Sequence, residues 1–203
     1  MRNRSVLRRG GPAGALLLAF AALTALSGCR TAAPSAQESS KPCGLYRWRV
    51  KTLSDVDAER VRLDPVDTTI HDLVRLAPSR REPHGRRRSE ELQTYRVQGV
   101  LLAVQSRLDK DLHLLLSDPS DSKSRLIAEI PKPSCSMRSL HEDEFAAARN
   151  IAESLRWRPQ GQTLVEVVGV GFFDVGHIQA GRSHNGLELH PVLSVAAIEP
   201  PGL

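Results

Sequence analysis

The sequence is poor in aromatic residues and in cysteine. Phe, Trp and Tyr make up 4% of the 203 residues, so a hydrophobic core must consist mainly of aliphatic side chains. The three cysteines include no CxxC pair, and neither a glycine-rich phosphate loop nor a G-x-S-x-G motif occurs. The sequence therefore carries no signature of thiol redox, nucleotide-hydrolysing or serine-hydrolase chemistry, and its length suits one domain with appendages.

Beyond its N-terminus the chain also lacks a strong net charge. The formal charge of +5 comes largely from Arg2, Arg4, Arg8 and Arg9, which lie in a region without acidic residues. Without those four of the 28 Lys and Arg residues, 24 basic side chains face 23 acidic ones. A dedicated nucleic-acid-binding protein normally needs a strong positive field, so this balance argues against one and leaves room only for a local basic patch.

The N-terminus has the layout of a secretory signal. Its arginines precede an apolar run over residues 13–26, which is too short to span a bilayer comfortably. The next residues, Leu26-Ser27-Gly28-Cys29, resemble the bacterial lipobox, in which the Cys is lipidated and becomes the first residue of the mature protein. We therefore predict a lipoprotein signal peptide over residues 1–28 and lipidation of Cys29, with an ordinary cleaved signal as the alternative.

Lipid on Cys29 predicts attachment to the membrane of the cell envelope. Each buried methylene of an acyl chain stabilises such attachment by about 0.8 kcal/mol. Arg30 occupies the place of the Asp that usually retains such proteins in the inner membrane, so we expect the outer membrane in a cell with two membranes. Residues 31–42 are small, polar and proline-containing, so residues 29–42 form the lipidated Cys and a flexible tether.

Two cysteines remain once Cys29 is assigned to lipid. Cys43 and Cys135 would both reach an oxidising compartment, where a disulfide is the natural interpretation. That bond would connect the start of the folded part to a segment that follows a predicted strand. Two buried thiols, or a soft metal pair without other close ligands, are the alternatives.

Residues 43–90 have the pattern of an N-terminal extension packed on the main domain. Residues 46–53 alternate apolar and basic side chains, which predicts a half-exposed strand. Asp67 and Thr68 offer N-caps for a short helix. Residues 79–88 contain five Arg, which is typical of a solvated loop, although such a patch can also bind phosphates or anionic lipid.

Residues 91–203 predict a mainly β domain. Regular apolar patterns mark five strands, over residues 95–108, 112–118, 125–131, 162–173 and 187–198. Before the fourth strand, Ser139 and Glu142 form a capping box, and one helical face carries Phe145, Ala148, Ile151 or Ala152, and Leu155. This order, with Gly99 where the long first strand must bend, predicts an OB-like five-stranded Greek-key barrel with a helix between strands 3 and 4. Another small barrel is the alternative.

The longest recognisable pattern is GVGFFDVGHIQAGRSHNGLELHPVL at residues 169–193, with its FFD, H-x-Q-x-G and NG-x-ELHPVL elements. It follows YRVQGVLLAVQSRLDKDLHLLLSDPSDSKSRLIAEIP, and the segments CGLYRWRVKT and SDVDAERV come earlier. Together these stretches resemble a family of exported bacterial proteins to which no activity is assigned. The resemblance implies export and an OB-like barrel, and it supplies no catalytic residue.

The same stretch contains the densest group of candidate metal-binding or catalytic side chains. Glu188 and His190 are two apart in a predicted strand and so point to one face. Asp174, His177 and His184 lie in the loop before them. Because imidazole and carboxylate groups bind zinc and other divalent ions, one hypothesis is a metal site. Its ligands would be His177, His184, Glu188 and His190, and the catalytic residues would be Asp174, His177, Glu188 and His190.

The loop also has an architectural interpretation. Asp174 and Asn185 can cap turns, glycines supply positive φ, and polar side chains can satisfy loop amides. The spacing matches no established metal signature, so no cofactor is expected under this interpretation.

A third hypothesis is a ligand-binding surface on the outside of the barrel, where OB barrels bind oligonucleotides, saccharides and peptides. His113 in the second strand and Glu129 in the third would converge there with Glu188 and His190. The predicted binding residues are His113, Glu129, His177, Asn185, Glu188 and His190. Base-stacking aromatics are few (Tyr95, Trp157, Phe172 and Phe173), which favours a protein, peptide or glycan partner over nucleic acid.

The sequence thus predicts a membrane-anchored, non-catalytic OB-type binding or scaffolding module of the cell envelope. The alternative is a metal-dependent hydrolase that acts on a phosphodiester or similar envelope substrate. Staphylococcal-type nucleases share an exported OB barrel, but their paired Asp close to Arg and Glu does not occur here. Arg125 and Glu129 lie on the third strand without a second Arg that a motif could place.

Overall fold

The computed structural model describes residues 43–44, 46–79, 85–86, 88–107, 109–174 and 182–198. The predicted signal peptide, Cys29 and the tether lie outside the described residues, and so does His177. The compact unit Ser40–Leu203 contains both the predicted extension and the predicted barrel. In the part of the chain that the structure describes, no helix is long and apolar enough to cross a membrane.

The described residues form short helices and a six-stranded sheet. The α-helices are α1 (Trp48–Lys51), α2 (Ile70–Arg75) and α3 (Glu142–Leu155). The strands are β1 (Arg62–Asp67), β2 (Gln93–Ser106), β3 (Leu112–Ser117), β4 (Arg125–Ile130), β5 (Leu164–Phe173) and β6 (Leu187–Ile198). Short 3₁₀ turns occur at Ala58–Arg60, Ser89–Leu92 and Pro133–Cys135.

Strands β2 to β6 close a five-stranded barrel, as the sequence predicts. The order β2-β3-β4-β6-β5 returns to β2 through a further β2–β5 pairing. Ala128 of β4 and Leu189 of β6 pair in parallel, whereas the other barrel pairs are antiparallel. The helix α3 comes between β4 and β5. This topology is that of an OB-like barrel, and it confirms the predicted fold class.

The long strand β2 serves both halves of the barrel. Its first half pairs with β5 and its second half with β3, and Val100 pairs with both Leu164 and Ser117. Gly99 lies at this change of partner, where an added Cβ would come within 2.8 Å of Ile70 Cδ1. The same Cβ would come within 3.2 Å of Leu116 Cβ, so any larger residue here would require Ile70 and Leu116 to shift.

The core is mainly aliphatic, as the scarcity of aromatic residues indicates. Alternate residues of the strands point inward and are completely buried, among them Leu112, Leu114 and Leu116 of β3. Full burial of each Leu side chain contributes about 1.5–3 kcal/mol. The helix α3 packs into the same core with Phe145, Ala148, Ala152 and Leu155, whereas Ile151 is 42% exposed.

Several local predictions are wrong at the ends of elements. Thr69, not Asp67 or Thr68, caps α2, and its hydroxyl accepts from the amide of Asp72. Ser139 does not cap α3, because the N-cap position belongs to His141 and the Ser139 hydroxyl accepts from the His141 amide instead of from an amide of the first helical turn. The sequence pattern does not predict β1, which pairs in parallel with β2 at the edge of the sheet. An edge tolerates Pro65, which cannot donate to a ladder.

The predicted strand over residues 46–53 is instead the single helical turn α1. The turn starts after Arg47, whose φ is 49°. It buries Val50 and Lys51, which are adjacent in the chain and would point to opposite faces in a strand. Trp48 donates from Nε1 to the carbonyl of Cys135 at 2.9 Å, and the predicted disulfide between Cys43 and Cys135 is confirmed. The extension is therefore tied to the barrel next to α3.

Candidate functional site

One outer face of the barrel is built from the polar alternates of β3, β4 and β6. His113 of β3 lies directly opposite Glu129 of β4, while their neighbours Leu112, Leu114 and Ala128 fill the core. Since Leu189 pairs with Ala128, its neighbours Glu188 and His190 also point outward. All four polar side chains are nevertheless buried, with exposed fractions of 7% or less.

The helix α1 lies over this face and accounts for the burial. Its Lys51 Nζ is 3.7 Å from Glu129 Oε2 and 5.2 Å from the centroid of the Phe172 ring. The guanidinium of Arg47, just before α1, stacks on the same ring at 4.5 Å. The ring of His190 packs against Phe172 at 5.6 Å between centroids. OB barrels use this surface for ligands, but here the protein's own extension occupies it.

Five charged or titratable side chains meet under α1, and we call them the polar cluster: Lys51, Asp111, His113, Glu129 and His190. Glu129 is at its centre. Its Oε2 lies 2.8 Å from His190 Nδ1, and its Oε1 lies 3.1 Å from His113 Nε2. Asp111, from the loop between β2 and β3, places Oδ2 3.5 Å from His190 Nε2 and accepts from the Lys132 amide through Oδ1.

Burial and charge together set the ionisation of the carboxyl groups in the cluster. Burial raises the pKa of Asp111 to about 8, and the carboxylates of Asp109 and Glu129 add to that rise. Burial also acts to raise the pKa of Glu129, but His190, Lys51 and His113 outweigh it and lower that pKa. Glu129 is thus the ionised acid of the cluster, and Asp111 is mostly protonated at neutral pH.

The pKa values of the basic groups shift in opposite directions: those of the two histidines fall, and that of Lys51 rises. Burial lowers the pKa of His113 to about 4, and burial followed by the charge of Lys51 lowers the pKa of His190. Burial acts to lower the pKa of Lys51, but nearby carboxylates, first Glu129 and then Glu188, outweigh it and raise that pKa. Near neutral pH the cluster therefore contains two neutral imidazoles beside one ammonium group.

Next to the polar cluster, a buried ion pair between Arg47 and Glu91 anchors the extension to the barrel. The guanidinium of Arg47 donates to both carboxylate oxygens of Glu91, at 2.9 and 2.6 Å, and neither side chain is exposed. Glu91 Oε1 also accepts from the amide of Phe173 at 2.8 Å. The arrangement is a bidentate pair of the kind that fixes geometry as well as charge.

The structure brings together only part of the residue set that the sequence singles out. His113, Glu129 and His190 meet in the polar cluster, and Glu188 and Asp174 are buried and near enough to act on the Lys51 charge. His184 does not join them, because its side chain is exposed and lines a different cleft. The roles of all these residues as ligands or catalytic groups stay predictions. His177 lies outside the described residues.

Asn185 has a clear architectural role. Its side-chain amide donates to the carbonyls of Leu73 and Leu76 at 2.9 and 3.1 Å, and its Oδ1 accepts from the Leu187 amide. These bonds tie the start of β6 to the end of α2. Asn185 lies within the turn Ser183–Gly186, which ends at Gly186 with φ +75°.

Sequence reasoning did not identify four members of these two groups, namely Lys51, Asp111, Arg47 and Glu91. The alternation of residues 46–53 predicts a strand, in which a basic residue such as Lys51 is expected to face solvent. Asp111 belongs to an acidic turn that only the closed barrel places beside β6. Arg47 finds its partner Glu91 after 44 residues, a separation that no local pattern reveals.

A second concave surface is open to solvent, and we call it the basic cleft. It has a volume of about 710 Å³ and lies between α2, the β3–β4 loop and residues 182–184. Among the described residues, four cationic side chains and a single carboxylate, that of Asp121, line it, together with two histidines, His71 and His184. The cations are Arg75, Lys123, Arg125 and Arg182. Asp121 is already bonded to the Ser124 hydroxyl at 2.7 Å.

No protein-family model matches the chain, and no curated protein matches it. Among solved structures, the chain is similar to a crystal structure described as a "putative aspartyl-tRNA synthetase" from Leishmania major Friedlin. The identity is 13%, the TM-score is 0.40, and the match covers 68% of this chain and 21% of that one. The assignment of the fold rests on strand order and pairing alone.

Proposed function

We propose that this protein is a lipid-anchored, non-catalytic OB-type binding module of the cell envelope, and that its ligand is a carboxylate-rich peptide or glycan. The basic cleft is the observation that carries this proposal. The cleft is concave and is lined by more cationic than anionic side chains, so its electrostatic field attracts anionic groups. The protein would also be a member of the exported family that its sequence resembles.

Binding is favoured over catalysis by the burial of the side chains that hydrolysis would need. Asp174, Glu188 and His190 have exposed fractions of 3%, 0% and 0%. A polymeric substrate would have to displace α1 to reach them, and α1 is held to the barrel next to a disulfide. Nucleic acid is also less suited as a ligand, because Phe172 and Phe173, which could have stacked with bases, are completely buried.

Anchoring depends on Cys29 in this proposal. With Cys29→Ser, most of the full-length protein is expected to move from the membrane fraction to the soluble envelope fraction, because the lipid has no attachment atom. Fractionation followed by immunoblotting measures the change. Arg30→Asp is the matched control, and it is expected to keep the protein in membranes while it shifts from the outer to the inner membrane. Equal solubility of the wild type and the Cys29→Ser variant contradicts the anchor.

The basic cleft predicts a selective loss of affinity for an acidic polymer. In the double variant Arg75→Ser with Arg125→Ser, the Kd for poly-L-glutamate is expected to rise about 2- to 30-fold, since each exposed ion pair contributes about 0.2–1 kcal/mol. Both side chains are exposed, so folding is expected to be unaffected. Fluorescence titration of the full chain in detergent, with labelled poly-L-glutamate, measures the Kd.

The matched control for the cleft is the double variant Arg62→Ser with Arg138→Ser, which removes two exposed cations from outside it. This control is expected to bind poly-L-glutamate as the wild type does. An equal loss in both double variants would mean that net charge alone is responsible. That result, or the absence of saturable binding by the wild type, would overturn the proposed ligand class.

A further inference from the structure

The polar cluster contains more unsatisfied polar atoms than a structural network should have. Asp111 Oδ2, Glu129 Oε2 and both ring nitrogens of His113 and His190 are buried and have no hydrogen-bond partner among the described residues. His190 Nδ1 is 2.8 Å from Glu129 Oε2, but the two atoms are not aligned for a hydrogen bond. Because each buried polar atom without a partner is costly, six of them at one place indicate a missing partner.

The positions of three of these side chains would allow them to share one cation. One ligand atom from each of Asp111, Glu129 and His190 can be chosen so that all three lie within 4.8 Å of one another. Ligands around tetrahedral zinc are separated by about 3.4 Å, since its bonds are about 2.0–2.2 Å long, and Asp111 Oδ2 and His190 Nε2 are 3.5 Å apart. Two carboxylates and one imidazole are a donor set for zinc and related divalent ions.

A neighbouring group offers a route for the cation. Asp109, His113 and Glu129 form a second set of three donors within the same distance, and they share Glu129 with the first set. Asp109 is partly exposed on the loop between β2 and β3, whereas His190 is completely buried. The two sets therefore lead from the surface through Glu129 to the inner position.

We propose that Asp111, Glu129 and His190 form a binding site for one divalent transition-metal ion, which enters past Asp109 and His113. In the metal-free protein the ammonium of Lys51, 3.7 Å from Glu129 Oε2, neutralises part of the charge that the metal would neutralise. A bound metal and the ammonium would both draw on the negative charge of Glu129. Lys51 therefore competes with the metal for Glu129. A cluster with a purely structural role predicts no such competition, so the effect of Lys51 on metal affinity distinguishes the two roles.

The test is equilibrium dialysis of the full chain in detergent against Zn²⁺ after removal of metals with a chelator, followed by elemental analysis. The wild type is expected to retain one molar equivalent of Zn²⁺. Asp111→Asn and His190→Asn are expected to weaken Zn²⁺ binding by at least about tenfold, because each removes a ligand. Lys51→Met is expected to strengthen it, because one competing charge is lost.

Matched controls are Asp64→Asn, at an exposed position on β1, and His141→Asn, before α3. Both are expected to bind Zn²⁺ as the wild type does. The stoichiometry of the wild type decides the proposal even where a cluster variant fails to fold, so less than half an equivalent of retained Zn²⁺ overturns it. Stoichiometric binding that Asp111→Asn and His190→Asn leave unchanged also overturns it. If Lys51→Met binds Zn²⁺ more weakly than the wild type, the lysine is not a competitor, and this result also overturns the proposal.

Discussion

Replacement of Glu91 by Ala is expected to lower the free energy of unfolding by about 3–5 kcal/mol, because the Arg47 guanidinium then stays buried without its counter-charge. Both side chains have no exposed surface, and two hydrogen bonds join them. The remaining partners of Arg47, the carbonyls of Gly85 and Phe173, carry no net charge. The Phe173 amide also loses the acceptor that Glu91 provides. Urea denaturation followed by far-UV circular dichroism measures the change.

The control for this prediction is Glu153→Ala on α3. Glu153 pairs with Arg149 at 3.1 Å, but its side chain is 48% exposed. Removal of this i, i+4 pair is expected to cost less than about 0.5 kcal/mol. The double variant Arg47→Met with Glu91→Leu is expected to recover much of the lost stability, because no buried charge remains. A cost below about 1 kcal/mol for Glu91→Ala would contradict the assigned burial of the pair.

Loss of the disulfide is expected to have an effect of similar size. In Cys43→Ser with Cys135→Ser, the free energy of unfolding is expected to fall by about 4 kcal/mol, because the bond closes a loop across a sequence separation of 92 residues. The same bond holds the chain before α1 beside the barrel. The amides of α1 are therefore expected to lose protection against hydrogen exchange more than those of the barrel strands.

Reduction provides the matching measurement for the disulfide. The wild type in a reducing agent is expected to unfold at the same urea concentration as the double Cys variant. The double variant itself is expected to be insensitive to the reducing agent. An unchanged midpoint for the wild type after complete reduction would contradict the stabilising role. Equal loss of protection in α1 and β6 would contradict the local role.

The barrel could be predicted from the sequence because its information is local. Each strand carries its own apolar alternation, and the helical face of α3 shows its own spacing, which the burial of Phe145, Ala148 and Leu155 confirms. Gly99 marked the bend of β2 for a similar reason, since a glycine in a long strand signals close approach. The disulfide followed from composition and compartment once one of the three cysteines was assigned elsewhere.

The extension could not be predicted in the same way. Residues 46–53 alternate as a strand does, yet they form α1 because tertiary partners decide their backbone. Arg47 adopts a left-handed conformation and reaches Glu91, and Trp48 reaches Cys135. The partners in these contacts are 44 and 87 residues apart in the sequence, so a local pattern cannot predict them. A four-residue helix has too few internal hydrogen bonds to impose its own conformation.

In the candidate site, too, some features follow from the sequence and others only from the tertiary structure. The sequence by itself determined that His113, Glu129 and His190 lie on outward positions of barrel strands, because alternation is a property of each strand. Only the tertiary structure decided that the face is closed and that Lys51 and Asp111 complete it. The reason is physical: which face a side chain occupies follows from a period of two residues, whereas burial, ionisation and metal-binding geometry depend on what packs above that face.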